Sequence, residues 1–307
     1  MKKYKCLALM SGGLDSILVS KILKDDGVSV TPICFKSYFF DSQQSEKSVK
    51  QLGLKLRVVD ISEEHLKMIK NPLHGRGKGF NPCIDCHSLM IKEAEKIMKK
   101  EGYDFIATGE VLGQRPMSQN ANSLKIIDKS VKSSRLIIRP LSAKLLPLTI
   151  PEEKGMVKTL YAISGKSRED QINLAKKLKI KEYPSPAGGC ILTDLNYAKN
   201  LKKLREIKNN FSSNDVLILR EGRVFWEDQI LIIVARDEKE CKNINKLRLK
   251  GDLVLEPDNF SGPTVLIRRY KKSPREEAID FGVKYLLNYS NKKIDDPIIK
   301  LLPFLRS

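Results

Sequence analysis

The sequence predicts an α/β fold, a parallel sheet with flanking helices, followed by a small α+β domain. Three observations in the 307-residue chain predict it. Strand-sized apolar runs alternate with segments of helical spacing over the first two thirds. A glycine turn separates the first strand from the first helix, and the last third changes to short strands divided by turn residues. The first strand spans residues 4–10. Ser11, Gly12 and Gly13 end it, and Ile17, Leu18, Ile22 and Leu23 then recur at helical spacing. A strand at 28–35, a helix at 45–52, a strand at 56–60, a helix from about Cys86 to Lys100 and a strand at 104–108 continue the alternation. Such a sheet places ligands at the carboxyl ends of its strands.

Residues 71–82 are rich in Gly, Pro and Lys without periodicity, which reads as a mobile basic loop leading into a cysteine pair. A strand at 135–141, a helix at 168–178 and a turn-rich segment at 183–194 follow. A basic helix at 197–208 then hands over to short strands at 216–219, 230–235 and 264–268 around a helix at 240–247. The expected organisation is a first domain over 1–194, a linker helix over 195–208 and a small domain over 209–307.

Charge narrows the function. The chain carries 56 Lys and Arg against 37 Asp and Glu, a formal +19. Residues 1–208 hold 38 basic and 22 acidic side chains, so most of the surplus lies there. This favours a polyanionic partner, nucleic acid first and an anionic membrane surface second. No apolar run approaches the roughly 20 residues of a membrane helix, and Lys2 and Lys3 precede only a strand-sized stretch, so a soluble cytoplasmic protein without a signal peptide is expected. Six scattered cysteines in a chain of this size point to metal or thiol chemistry rather than a secreted disulfide framework.

The hexapeptide SGGLDS, Ser11 to Ser16, lies directly after a strand and opens a helix. The amides of Gly12 and Gly13 and the helix amino terminus can therefore point at an anion. It is not a Walker A loop, because the spacing is shorter and no Gly-Lys-Ser/Thr follows. A plain strand-to-helix turn is the alternative. NPCIDCH places Cys83 and Cys86 three apart on a loop entering a helix, whose amino terminus would favour thiolate. Cys190 stands in a second Gly- and Pro-rich turn. Three thiols presented this way suggest one site; half of a zinc knuckle and an incidental loop thiol remain as alternatives. Cys6 and Cys34 lie inside apolar strand patterns and read as core, and Cys241 falls on the small domain's helix. His65, His74 and His87 are too few for a His-rich metal site.

SGGLDS resembles the PP-loop of the adenine nucleotide alpha hydrolase superfamily, a Rossmann-like fold whose members cleave ATP between the α and β phosphates. The resemblance implies that Ser11, Gly12, Gly13 and Ser16 grip pyrophosphate and that Asp15 positions Mg2+ or the nucleotide. Phe35 and Gly109, at the ends of the second and fourth strands, complete the implied ATP contacts. With PC-x-x-C-H, ATGEVLGQRPMSQ (residues 107–119), GKSRED (165–170) and PAGGCILTD (186–194), residues 4–194 resemble the tRNA thiouridylases of the MnmA and ThiI families.

Where MnmA has Asp, this chain has Cys83. That resembles a subgroup whose three cysteines hold a [4Fe-4S] cluster, here Cys83, Cys86 and Cys190; a persulfide on Cys86 or Cys190 is the other implied route, and Asp15, Cys86 and Cys190 are the implied catalytic residues. The last third resembles the RNA-associated domain of NFACT proteins. The implied function is ATP-dependent tRNA uridine thiolation at position 8 or 34, with sulfide or a sulfur-donor protein as partner and a homodimer as a candidate assembly. An amide-forming or lysidine-type ligase and a non-catalytic RNA-binding zinc protein are the rival readings.

Overall fold

The computed structural model describes residues 3–185, 189–271, 274–290 and 295–303. The chain divides into two compact units, 1–193 and 194–307.

The first unit is built on a five-stranded sheet. Its elements run β1 (Lys5–Leu9), α1 (Leu14–Asp25), β2 (Ser29–Lys36), α2 (Gln43–Lys50), β3 (Arg57–Asp60), α3 (Ser62–Lys70), α4 (Cys83–Glu101), β4 (Phe105–Ala107), α5 (Ala121–Lys129), β5 (Ile137–Ile138), α6 (Ile150–Glu153) and α7 (Glu169–Lys177). The strand order is β3-β2-β1-β4-β5, with every pairing parallel. β1 is central because its two faces are both apolar: Cys6, Ala8 and Met10 join one core with Ile17, Leu18 and Leu174, while Leu7 joins another with Ile33, Phe35, Ile91 and Ile106. Double-sided burial of this kind is how a parallel strand reads in sequence. Chain order reverses between β2 and β4 on either side of β1, which opens the crevice where ligands bind in such sheets.

Several expectations change. The cysteine pair lies in the first turn of α4, which starts three residues earlier than predicted, not on a loop before it. The predicted strand at 135–141 shrinks to the two residues of β5, because a 3-10 turn, Ser134–Leu136, precedes them. α3 and α5 were not predicted. Loop 71–82 is irregular as expected but tied down: Arg76 donates to the carbonyl oxygens of Ile69 and Lys70, Gly77 donates to the Asn81 carbonyl, and Phe80 is buried.

The second unit comprises α8 (Leu195–Ile207), α9 (Ser213–Ile218), β6 (Arg223–Glu227), β7 (Ile230–Val234), α10 (Glu238–Leu247), β8 (Leu253–Pro257), β9 (Val265–Arg269), α11 (Arg275–Asn288) and β10 (Ile299–Leu301). Its sheet is antiparallel in the order β10-β8-β9-β7-β6, with α11 packed on β7, β8 and β9. The strand predicted at 216–219 is instead helix α9. Ser212 and Asp215 form a capping box that closes its first turn, which decides a short apolar run whose period is ambiguous. A buried network holds this unit together. Arg268 donates to Asp252 at 2.7 Å and to Asp215, and Asp215 also accepts from Lys208 and Tyr270.

Candidate active site

The hexapeptide lies at the carboxyl end of β1, where it turns into α1. Gly13 is the N-cap of α1, in extended conformation, and no side chain caps the helix. The opening amides of α1 therefore meet no side-chain cap among the described residues. Gly12 has φ +78°, and a Cβ there would stand 2.6 Å from the carbonyl carbon of Gln44 and 2.7 Å from the nitrogen of Ser45. Both the backbone conformation and the room require glycine. The Ser16 hydroxyl, buried, donates to the Gly13 carbonyl at 2.8 Å, and Ser11 Oγ, exposed, accepts from the Gly13 amide at 3.4 Å.

Helix α2 fixes this loop from the side. Ser45 donates to the Met10 carbonyl and Ser48 to the Gly12 carbonyl, each at 2.9 Å. These serines were not singled out from the sequence, since nothing local links them to a loop some 35 residues earlier. Gly109, just after β4, presses on the other side: a Cβ there would lie 2.7 Å from the Ser16 nitrogen. Phe35 is 4% exposed with its ring in the core, so a nucleotide would reach only its backbone.

Asp15 faces the loop after β4 and the start of α7. Burial raises its pKa, against the opposing influence of Arg168, Gln114, Arg115 and Gln171. Gln114 Nε2 donates to Oδ2 at 3.2 Å, whereas Oδ1 is buried and has no partner among the described residues. A carboxylate oxygen left this way, beside uncapped helix amides, suits a divalent cation carrying a phosphate chain.

The thiols belong to the same unit. Asn81 Nδ2 donates to Cys83 Sγ at 3.0 Å. Asp85, between the two cysteines, accepts from the His74 amide at 2.9 Å and meets His74 Nδ1 at 2.8 Å, which registers loop 71–82 on α4. Cys190 is brought in by backbone contacts of the two residues that follow it: Ile191 donates to the Phe39 carbonyl, and Phe80 donates to the Leu192 carbonyl. Pro186, Ala187 and Gly188 of that turn lie outside the described residues. Burial pushes the Cys86 thiol well above its usual range, and the nearby Cys190, Cys83 and Asp85 add to it. The three thiols thus share one neighbourhood. The expectation that the helix end lowers the Cys86 pKa is not met, because burial and the neighbouring Cys190, Cys83 and Asp85 disfavour the thiolate. Among the described residues no group of three or more His, Cys, Asp or Glu side chains is placed to hold a metal ion.

His87, one residue beyond Cys86, leads to a buried network that sequence reading missed. Its Nδ1 lies 2.7 Å from Glu110 Oε1; Glu110 Oε2 accepts from Thr108 at 3.0 Å and from Arg139 Nε at 2.9 Å, and Arg139 also grips Asp128 on α5. Burial alone would raise the Glu110 pKa, but the Arg139 charge and His87 bring it down to about 2. The network locks the start of α4 to the end of β4. His65 is buried between Phe39 and Phe40, and desolvation lowers its pKa to about 4, which makes it a neutral core residue.

No helix among the described residues is long and apolar enough to cross a membrane. Residues 2–144 match the family model of thiamine biosynthesis protein (ThiI), and residues 222–301 match that of the NFACT protein RNA binding domain. Among curated relatives, tRNA-specific 2-thiouridylase MnmA of Sulfurimonas denitrificans is 33% identical over 118 residues, 35% of this chain and 35% of that protein. MnmA of Caldicellulosiruptor saccharolyticus is 25% identical over 256 residues, 74% of this chain and 65% of that one. A probable tRNA sulfurtransferase of Methanosarcina mazei is 25% identical over 236 residues, 74% and 49%. A solved 4-thiouridine synthetase–RNA complex with bound ATP aligns at TM-score 0.37 and 22% identity, over 58% of this chain and 52% of that chain. The chain spans 35 to 65% of the length of these curated relatives. It thus carries a ThiI-like domain over residues 2–144 and an NFACT-like RNA-binding domain over residues 222–301.

Proposed function

We propose that this protein is an ATP-dependent tRNA uridine sulfurtransferase. The observation that carries the reading is the union, in one unit, of a helix end uncapped and a buried carboxylate oxygen unpartnered among the described residues with three neighbouring thiols. The first half of that union suits Mg·ATP. The amides at Gly12 and Gly13, with Ser11 and Ser16, hold the phosphates, Asp15 meets the magnesium ion, and Gly109 lets the next loop close over them. A uridine carbonyl oxygen attacks the α-phosphate, pyrophosphate leaves, and sulfur then displaces AMP from the activated carbon.

The second half supplies sulfur. Cys83, Cys86 and Cys190 suit a [4Fe-4S] cluster, whose irons occupy separate corners, so its ligands need not converge on a point as they would around a zinc ion. When bound, the cluster would offer sulfide at an iron the protein leaves open. The protein's own part is to bring the third thiol in through Ile191 and Phe80 and to hold the helix start through Asp85 and Glu110. The base must leave its stack to reach this crevice. The basic surplus of the first two thirds and the NFACT-like second unit support a folded RNA as partner.

Asp15→Ala should abolish tRNA-dependent exchange of labelled pyrophosphate into ATP while leaving tRNA affinity within about threefold, since Asp15 lies in the phosphate crevice. Wild-type exchange by this variant would refute the ATP assignment. Binding of tRNA should also fall steeply with salt, with a log–log slope near −0.9 per duplex phosphate contacted. Filter binding at several salt concentrations reads it, and a flat response would assign the basic surplus to something else.

A further inference from the structure

Buried polar atoms without partners are uncommon in folded chains, and each needs a reason. Four of them, among the described residues, belong to the side chains that converge where α1 and α7 begin: Asp15 Oδ1, Arg168 Nε, and both Nε2 and Oε1 of Gln171. Gln171 is completely buried, and Arg168 precedes it by three positions at the opening turn of α7, a separation that puts the two on one face. Both residues act on Asp15 and favour its charged form, although the Gln171 carboxamide stops short of a hydrogen bond. Two of the four atoms are donors and two are acceptors, and they alternate. Arg168 N–H can donate to Gln171 Oε1, and Gln171 N–H can donate to the lone pair of Asp15 Oδ1 that a magnesium ion would leave free.

We propose that Gln171 is a positioning residue that bridges Arg168 and Asp15 when Mg·ATP is bound, an inference that rests on the ATP-site reading above. Pyrophosphate would draw the terminal nitrogens of Arg168 toward the loop, and the magnesium ion would turn the Asp15 carboxylate. Each movement brings one half of the relay into reach. The four atoms, without hydrogen-bond partners among the described residues, are then all paired in the complex. A contact made only in the liganded state appears as affinity rather than as stability of the free protein.

The test is calorimetric titration of Mg·ATP into the full chain, with melting of the free protein measured in parallel. Gln171→Met keeps the volume and removes both polar atoms. It should weaken Mg·ATP by about tenfold or more, the worth of a hydrogen bond to a charged group, without lowering the melting temperature. Gln171→Glu keeps the acceptor for Arg168 and removes the donor to Asp15; it should weaken binding at least as much and serves if the methionine variant fails to fold. In an Arg168→Met background the same Gln171→Met change should cost less than threefold, because the relay is already broken. Additive losses, or a lower melting temperature with unchanged affinity, would overturn the relay in favour of a packing role. A wild-type protein that does not bind Mg·ATP would sink the ATP-site reading itself, whereas tight wild-type binding matched by Gln171→Met would sink the relay alone.

Discussion

Alanine at Cys83, Cys86 or Cys190 is expected to remove uridine thiolation completely, and to remove bound iron with it. Protein prepared without oxygen should be brown in the wild type and pale in each variant, because a cluster with three protein ligands is lost when any of them is lost. Tight placement makes the outcome sharp. Cys83 and Cys86 share the first helical turn of α4, and Cys190 arrives on a segment held by the Phe39 carbonyl and the Phe80 amide. A persulfide route gives a different pattern: Cys83→Ala would stay active, Cys86→Ala and Cys190→Ala would not, and the wild type would be colourless and active in air. Stoichiometric zinc would defeat both and favour a structural site. Iron analysis and mass spectrometry of tRNA nucleosides, made on the same preparations, separate these outcomes.

Arg139→Met should be the most destabilising substitution in the first unit outside its apolar core, by about 3–5 kcal/mol in urea unfolding, because it strands the buried carboxylate of Glu110 without its counter-charge. The pH dependence has a definite sign. The Glu110 pKa is depressed in the folded protein, to about 2, so the stabilisation is complete above the ordinary range of a glutamate. It is lost as the pH falls from about 4.5 toward 2, with a total of roughly 3 kcal/mol. Wild-type unfolding should show this slope, and Glu110→Gln should flatten it. An Arg139→Met protein as stable as the wild type would mean that water reaches the carboxylate.

The sheet of the first unit was legible because β1, β2, β3 and β4 are separate apolar runs divided by helical spacing. Where the period was ambiguous, the reading failed. Val216, Leu217, Ile218 and Leu219 fit a buried strand as well as a helix turn, and only the Ser212–Asp215 box distinguishes them. That signal was present in the sequence. α3 and α5 are nine residues each and largely polar; Asn120, which accepts from the Ser123 amide, was a readable N-cap. The candidate site divides in the same way. SGGLDS and the cysteines declare themselves locally, through spacing and turn residues. Ser45, Ser48, Gln114, Gln171 and the Glu110–Arg139 pair act only through tertiary contacts, and a serine in an exposed-looking helix gives no hint that it clamps a loop.

The clamp on the hexapeptide has a consequence for synthesis of the chain. The carbonyls of Met10 and Gly12 are tied to α2, and the first turn of α1 is pressed by Gly109, which follows a strand paired beside β1. A ribosome that has released only the first forty residues has therefore delivered the hexapeptide without its clamp, and one that has released ninety has still not delivered the wall opposite. The same dependence applies to protein engineering: transplanting these six residues onto another strand–helix junction would carry over the letters but not the cradle, unless serines on a neighbouring helix and a glycine on the adjacent strand's exit travelled with them.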